Sequence, residues 1–571
     1  MAALEHTIRT AIAEHKSGNL AEAERLYVTA LALDSHNFTA LHMLGVIALQ
    51  TGRPGEADGL IARARAIDPA SSLACVNHGN ALQQLKRHSE AVSCYDRAIE
   101  LDPDLPEAFS NRGNALRAMG RVEEALHSFQ RSVVLRPHYA RGWSNRGLAL
   151  MDLRRPDEAL ESFERAIACD PQLAEAHSNR GMALYTLRRF AEALTSFDRA
   201  LALHPEYPEA LSNRGSCLKE LERFPEALAS FTDALRLDPD HFDARYNRGL
   251  TLLLLGALPE GWRDYEWRPS GPHRHVGYPA LPAPIWSGES LAGKRVLVLS
   301  EQGMGDTIQF ARYLPPLRSI AREVFFYAYA RSSMLRLLRS LPGISMGSEM
   351  PKDSMFDLAI PLLSLPLAFG TTLGTIPRAA PYLAPESDRV ERWRARIGPH
   401  GFRVGVCWQG NANSPADSGR SFRAHQMLPF ASIPGVRLIS LQQEHGLDQL
   451  RSLPPGLKIE TLDDAEQDGH AFADTAAIMQ SLDLVVTSDT AIAHLAGATG
   501  RPVWIALKRV HHWVWLLDRP ETPWYPTMRL FCQSTDGAWE ELMQRMANEL
   551  CQLVGGEQTG RATPRPGHRS A

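Results

Sequence analysis

Residues 482–500 read LDLVVTSDTAIAHLAGATG. Leu484, Val485 and Val486 form a short apolar run, the pattern of a buried strand. Ser488, Asp489 and Thr490 then offer helix-capping side chains, and Ile492, Leu495 and Ala496 continue at helical spacing. A strand that runs directly into a helix leaves backbone N–H groups at the positive end of a dipole, an arrangement suited to holding a phosphate. His494 stands four residues after Thr490, on the same helix face one turn in. A phosphate at this turn is therefore expected to meet Thr490 and His494 together. The competing expectation is a capped helix with a packed histidine.

Working outward, the same strand–helix alternation fills the second half of the chain. Arg295–Leu299 (RVLVL) reads as a buried strand, and Gly303, Gly305 and Asp306 then open a helix with Ile308, Phe310, Ala311 and Leu314 on its apolar face. Strands are expected at Val324–Tyr329 and Phe356–Pro361, with a helix near Ser333–Ser340 between them. Pro377–Pro385 closes this first lobe. A second lobe follows, with strands at Val404–Trp408, Val436–Leu441, Leu484–Thr487 and Val503–Leu507 and a last helix at Trp539–Leu553. Alternation of this kind implies parallel sheets, whose ligands gather at the carboxyl ends of the strands.

The first half has a different rhythm. Asparagine stands at 77, 111, 145, 179, 213 and 247, and glycine at 45, 79, 113, 147, 181, 215 and 249, a step of 34 residues. Alanine at 23, 57, 91, 125, 159, 193 and 227 and proline at 69, 103, 137, 171, 205 and 239 keep the same step, as do the aromatics Tyr95, Phe129, Phe163, Phe197 and Phe231. Small residues let paired helices approach, and a proline ends each unit because it cannot donate a backbone hydrogen bond. This pattern resembles the tetratricopeptide repeat. About seven units run from residue 4 to 241, and an altered eighth ends in GWRDYEWR (261–268). The arginine after each asparagine, at 112, 146, 180, 214 and 248, reads as a solvated face.

With 571 residues, 44% apolar and 22% charged, the chain has the composition of a soluble globular protein. A formal net charge of −4 gives no reason to expect a nucleic-acid partner. The seven cysteines are scattered without a C-x-x-C pair, which argues for reduced thiols rather than a disulfide frame or a zinc site. No apolar run is long enough to cross a membrane, and the N-terminal stretch has no signal core, so a cytoplasmic location is expected. The expected domains are repeats over 1–268, a Pro/Gly/His-rich linker over 269–284, lobes over 285–385 and 386–554, and a disordered tail over 555–571.

EQGMGDTIQFARYLP (301–315), CWQGNANS (407–414) with GRS (419–421), LISLQQ (438–443), DTAIAHLAG (489–497) and WLLDRPETPWYPTMRLF (515–531) resemble bacterial repeat-bearing glycosyltransferases related to heptosyltransferases. The resemblance implies an all-α tetratricopeptide superhelix followed by an α/β GT-B region of two Rossmann-like lobes. It also implies transfer of a sugar from a nucleotide-sugar donor, with Asp306 as catalytic base. The alternative for Asp306 is a helix N-cap, and the helix dipole is expected to keep its carboxylate ionised. Donor contacts are expected from Gly303, Gly305, Gln409, Asn411, Arg420, Gln442, Gln443, Asp489, Thr490 and His494. Segment 412–419 (ANSPADSG) departs from the family pattern, and so do Lys508, Arg509, His511 and His512. Trp513, Trp515, Trp524 and Tyr525 are expected to pack the core. No metal site is expected: Asp463 and Asp464 lack the strand context of a metal-binding pair, and no cofactor beyond the nucleotide-sugar co-substrate is implied.

The periodic asparagine is similar to the asparagine ladder of the O-linked N-acetylglucosamine transferases, in which amides hold an extended peptide. An amide offers a donor and an acceptor to any peptide unit. Asn77, Asn111, Asn145, Asn179, Asn213 and Asn247 are thus expected to bind a protein acceptor, with bracing of the repeats as the alternative. The resulting expectation is transfer to Ser or Thr of a protein held by the repeats, such as flagellin. Homodimerisation through the repeats is a further expectation. Transfer to a glycan or lipid-linked acceptor, or a non-catalytic scaffold, are the competing readings.

Overall fold

The computed structural model describes residues 2–268, 281–286, 288–328, 332–350, 355–412, 417, 419–462, 465 and 469–558. Most of the expected linker and tail, and the pair Asp463–Asp464, lie outside these residues. The chain divides into two compact units, Met1–Asp238 and Pro239–Ala571.

The first unit is all helical and contains, among the described residues, fourteen helices in successive pairs from Ala2–Lys16 to Phe224–Leu237. The pair Pro106–Ala118 and Val122–Leu135 shows why the small residues recur. A Cβ on Gly113 would lie 2.6 Å from the ring of Phe129, and one on Gly147, Gly181 or Gly215 would meet Phe163, Phe197 or Phe231 at 2.5–2.7 Å. Glycine on one helix and an aromatic sixteen residues later on its partner are thus one packing device. The turn inside each pair needs a left-handed residue. Gly18, Gly52 and Gly120 supply it, and Lys86, Arg154, Arg188 and Glu222 hold the same conformation with φ of 57–61°.

The periodic arginines are struts rather than a solvated face. Arg112 donates to Asp96 of the preceding pair at 2.6 Å and to Ser128 of its own at 2.8 Å. Arg180 reaches Glu164 and Ser196, and Arg214 reaches Asp198 and Ser230, in the same way.

The second unit opens with a further helix pair, Phe242–Leu254 and Leu258–Tyr265. Two wholly parallel sheets follow. In the first, β1 (Arg295–Leu299), β2 (Glu323–Tyr327), β3 (Ser345–Gly347) and β4 (Leu358–Pro361) lie in the order β3-β2-β1-β4. In the second, β5 (Phe402–Cys407), β6 (Val436–Ser440), β7 (Ile459–Glu460), β8 (Leu484–Ser488), β9 (Val503–Leu507) and β10 (Met528–Cys532) lie in the order β10-β9-β8-β5-β6-β7. Every residue of β4, β8 and β9 is buried, as expected of strands covered on both faces. The last helix, Trp539–Gln558, runs past the expected end at Leu553 and packs Leu542, Met543, Met546 and Leu550 into the core of the second lobe.

Candidate functional site

Both sheets contain the same topological feature. From β1 the chain moves to β2 and β3 on one side, then returns to the other side as β4. From β5 it moves to β6 and β7, then returns as β8. Loops that leave adjacent strands in opposite directions open a crevice at the carboxyl edge, where ligands of such sheets bind. The Gly303–Asp306 turn follows β1, and the Asp489–Thr490 turn follows β8. The two turns meet: a Cβ on Gly305 would lie 3.0 Å from His494 Cδ2 and 3.4 Å from Ala491 Cα. Gly305 therefore permits the contact between the lobes, and no side chain larger than hydrogen fits without displacement.

At the first turn Gly303 is the N-cap of the helix Met304–Phe310, and its backbone N–H donates to Asp306 Oδ2 at 3.0 Å. A Cβ on Gly303 would approach that oxygen to 2.9 Å. Asp306 is therefore not the N-cap that the alternative reading expected but the N3 residue, whose carboxylate reaches back to close the turn while remaining only partly covered. Its acidity differs from expectation. Burial, with the charges of Glu301 and Asp489 acting in the same direction, raises the carboxyl to about 6, against the lowering effect of the Gly303 hydrogen bond. Asp306 is consequently a better base than a dipole-stabilised carboxylate, and closing the turn does not exclude that role.

At the second turn Thr490 is the N-cap of the helix Ala491–Ala498, yet its side chain does not cap. Its hydroxyl is paired with Thr487 Oγ1 at 3.1 Å instead. The first N–H groups of the helix have no intrahelical partner, so this end stays open to an anion. Asp489 is 7% exposed, and its carboxylate accepts no hydrogen bond among the described residues. His494 is nearly buried, stacks on Trp515 at 5.0 Å and shares a 3.0 Å hydrogen bond with Tyr525 through Nδ1. Burial lowers it to about 3, so the ring is neutral at physiological pH. If Tyr525 donates to Nδ1, Nε2 carries the proton and is the donor left for a ligand.

Arg420 stands beside this turn. Its Nη2 would be 3.3 Å from a Cβ on Gly410, and Thr490 Cγ2 would be 3.6 Å from the same point. Asp417 orients it through Nε at 3.3 Å. Gln442 is committed to structure: its Oε1 accepts from the backbone N–H of Trp408 and Gln409, each at 3.1 Å, and its Nε2 donates to Gln409 O at 2.7 Å. The Gln409 side chain accepts from Gln449 at 2.7 Å. Gln443 is half-buried with no side-chain hydrogen bond among the described residues, and Asn411 is exposed. The glutamine more available to a ligand is therefore Gln443. Trp513, Trp515, Trp524 and Tyr525 are all at most 2% exposed and pack the core. His511 is buried and held below its usual range by burial, with Asp489 among the charges opposing this.

Three further features left no clear signal in the sequence. Arg268, at the end of the altered repeat, is fully buried and forms a fork with Glu301 at 2.6 and 3.0 Å, with Glu266 and Ser364 completing the network. Glu301 also accepts from Leu363 N at 3.1 Å, which ties together the loops after β1 and β4. Tyr265 reaches Gln302 at 3.3 Å. Arg312, from the first lobe, donates to Trp524 O at 2.6 Å and lies 4.4 Å over the Tyr525 ring, joining that lobe to the second. The Asp306 turn is thus held from one side by the last helix pair and from the other by the second lobe.

The asparagine series brings a complication. Asn77 Nδ2 pairs with His42 at 2.9 Å, Asn111 donates to Asn80 at 2.9 Å, and Asn145 and Asn179 donate to Ser110 and Ser144 at 3.4 and 3.1 Å. Each amide NH2 thus bonds to the preceding pair, leaving the amide oxygen without a partner among the described residues. Asn213 makes no side-chain hydrogen bond among those residues, and Asn247 belongs to the second unit.

Family profiles described as tetratricopeptide repeat match residues 14–74, 110–174 and 172–240, and one described as TPR repeat matches residues 79–120. The N-terminal region is therefore built of tetratricopeptide repeats. Protein FlbA of Caulobacter vibrioides is 28% identical over 313 residues, 51% of this chain and 52% of FlbA. The chain thus spans about half the length of the curated relative it matches. Among solved structures, YrrB, described as a TPR protein with an unusual peptide-binding site, is 25% identical over 33% of this chain and 98% of its own, with a TM-score of 0.29. A TPR protein of Thermus thermophilus is 27% identical over 32% of this chain and 100% of its own, with a TM-score of 0.29. No helix among the described residues is long and apolar enough to cross a membrane.

Proposed function

We propose that the second unit is a GT-B glycosyltransferase that moves a sugar from a nucleotide donor to Ser or Thr of a protein bound by the repeats. The observation that carries this reading is the meeting of two unlike turns at the carboxyl edges of two parallel sheets. One turn presents a carboxylate of raised pKa. The other presents an uncapped helix end with Arg420, His494 and Thr490 around it.

In the proposed reaction the acceptor hydroxyl gives its proton to Asp306 as its oxygen attacks the anomeric carbon. The bond from that carbon to the nucleotide phosphate breaks, and the electron pair leaves with the phosphate. The helix end and Arg420 stabilise the charge that develops there. In this reading Asp489 accepts from sugar hydroxyls. The repeats supply the protein acceptor, with the asparagine oxygens accepting from peptide N–H groups and the NH2 groups bracing the array. Flagellin is the acceptor that the resemblance suggests.

The test is the intact mass of unmodified flagellin after incubation with the full chain and UDP-, GDP-, ADP- or CMP-linked sugars. Gain of one or more sugar masses on Ser or Thr is the expected result. Modification of a lipid-linked glycan instead would replace the acceptor class, and binding of flagellin with no transfer from any donor would favour a scaffold.

A further inference from the structure

The last helix pair contributes a wall to the same site. Phe242, Tyr246 and Tyr265 form a continuous stack, with ring centroids 6.2 and 6.0 Å apart and 29° between planes in each step. Tyr265 is buried and fixed by its bond to Gln302, the residue before Gly303. Arg268 fixes Glu301 beside it. The stack therefore ends against the turn that carries Asp306. Tyr246 differs from Tyr265 in being half-buried rather than fully buried, with no hydrogen-bond partner for its hydroxyl among the described residues.

We infer that Tyr246 is an acceptor-positioning residue, its phenol hydroxyl donating to the incoming acceptor beside Asp306. The inference rests on the glycosyltransferase reading above and adds that the last repeat pair forms the acceptor side of the cleft. Burial and the Asp306 charge raise the phenol to about 12, so it stays protonated and able to donate throughout the working pH range. Asp306 takes the acceptor's proton, whereas Tyr246 keeps its own and fixes the direction from which the acceptor oxygen approaches. Asn247, the last asparagine of the series, is its neighbour in sequence on the same helix.

The test compares wild type, Tyr246→Phe and Asp306→Asn in the full chain, with unmodified flagellin and each of the four nucleotide-sugar classes. Donor hydrolysis without acceptor is measured alongside. Tyr246→Phe keeps the stack and the fold, which a thermal melt checks. It should lower kcat/KM for flagellin by roughly tenfold, the effect of one lost hydrogen bond, and leave donor hydrolysis at the wild-type rate. Unchanged flagellin transfer by this variant overturns the inference, and so does an equal loss of transfer and hydrolysis, which would mark a donor or structural role. An active wild type indifferent to Tyr246→Phe refutes this inference alone. A wild type that neither hydrolyses nor transfers refutes the proposed function with it.

Discussion

The two strand-to-helix turns of the second unit occupy equivalent positions in their sheets and differ in how they treat the helix end. The turn after β1 closes on itself, because Asp306 accepts from the Gly303 N–H. The turn after β8 stays open, because Thr490 turns its hydroxyl to Thr487. The first therefore concentrates negative charge, with Glu301 and Asp489 near Asp306, and raises that carboxyl to about 6. The second sets Arg420 beside an open helix end, and its own Asp489 is one of the charges that raise Asp306. The same backbone architecture thus gives a proton acceptor on one side and an anion holder on the other, and the choice is made by which side chain satisfies the first N–H group.

Exchanging the carboxylate for its amide should break this division most severely. Asp306→Asn can still cap the turn through its amide oxygen but cannot take a proton, so kcat should fall by about 10²–10⁴-fold. Nucleotide affinity, measured by calorimetry with UDP, GDP, ADP and CMP, should be unchanged. Arg420→Ala should do the converse. It removes a charge-assisted contact worth about 1.5–3 kcal/mol, so nucleotide binding should weaken by tenfold or more while the Asp306 pH dependence stays. Equal nucleotide affinity in both variants and wild type would place the anion elsewhere.

A smaller effect concerns His494. Its folded pKa is depressed to about 3 by burial, so in the window between its ordinary value near 6.5 and about 3 the unfolded chain binds the extra proton. This contribution to stability is therefore lost as the pH falls through that window. His494→Gln, which can still accept from Tyr525, should lose less melting temperature between pH 7 and pH 4 than wild type. An identical loss would show that the ring does not set the acid sensitivity.

The ease of reading the sequence followed the range of the interactions. The repeats were legible because glycine and its aromatic partner recur sixteen residues apart within one pair, as Gly113 and Phe129 do. β1 and β9 were legible to the residue because both are short, dense apolar runs, β1 opening on Arg295 and β9 apolar throughout. β3 and β7 were not, since three and two residues carry no periodicity. The Asp306 and Thr490 turns were found as separate motifs. Their meeting was not, because it depends on Gly305 and on contacts across 189 positions between that residue and His494. The Arg268–Glu301 fork was missed for a related reason: an arginine and a glutamate in a polar stretch look solvated until the fold buries them. The arginine struts of the repeats were misread in the same way.

The pH dependence of sugar transfer to flagellin tests the role of Asp306 most directly. Asp306 must be ionised to act, and its carboxyl is held near 6, so kcat/KM should rise through a single acid limb with its midpoint at about pH 6. Asp489→Asn, which removes one of the charges that raise Asp306, should move that midpoint downward. A rate that stays flat from pH 7 to pH 4.5, or an acid limb that persists in Asp306→Asn at the wild-type rate, would contradict the assignment of the base.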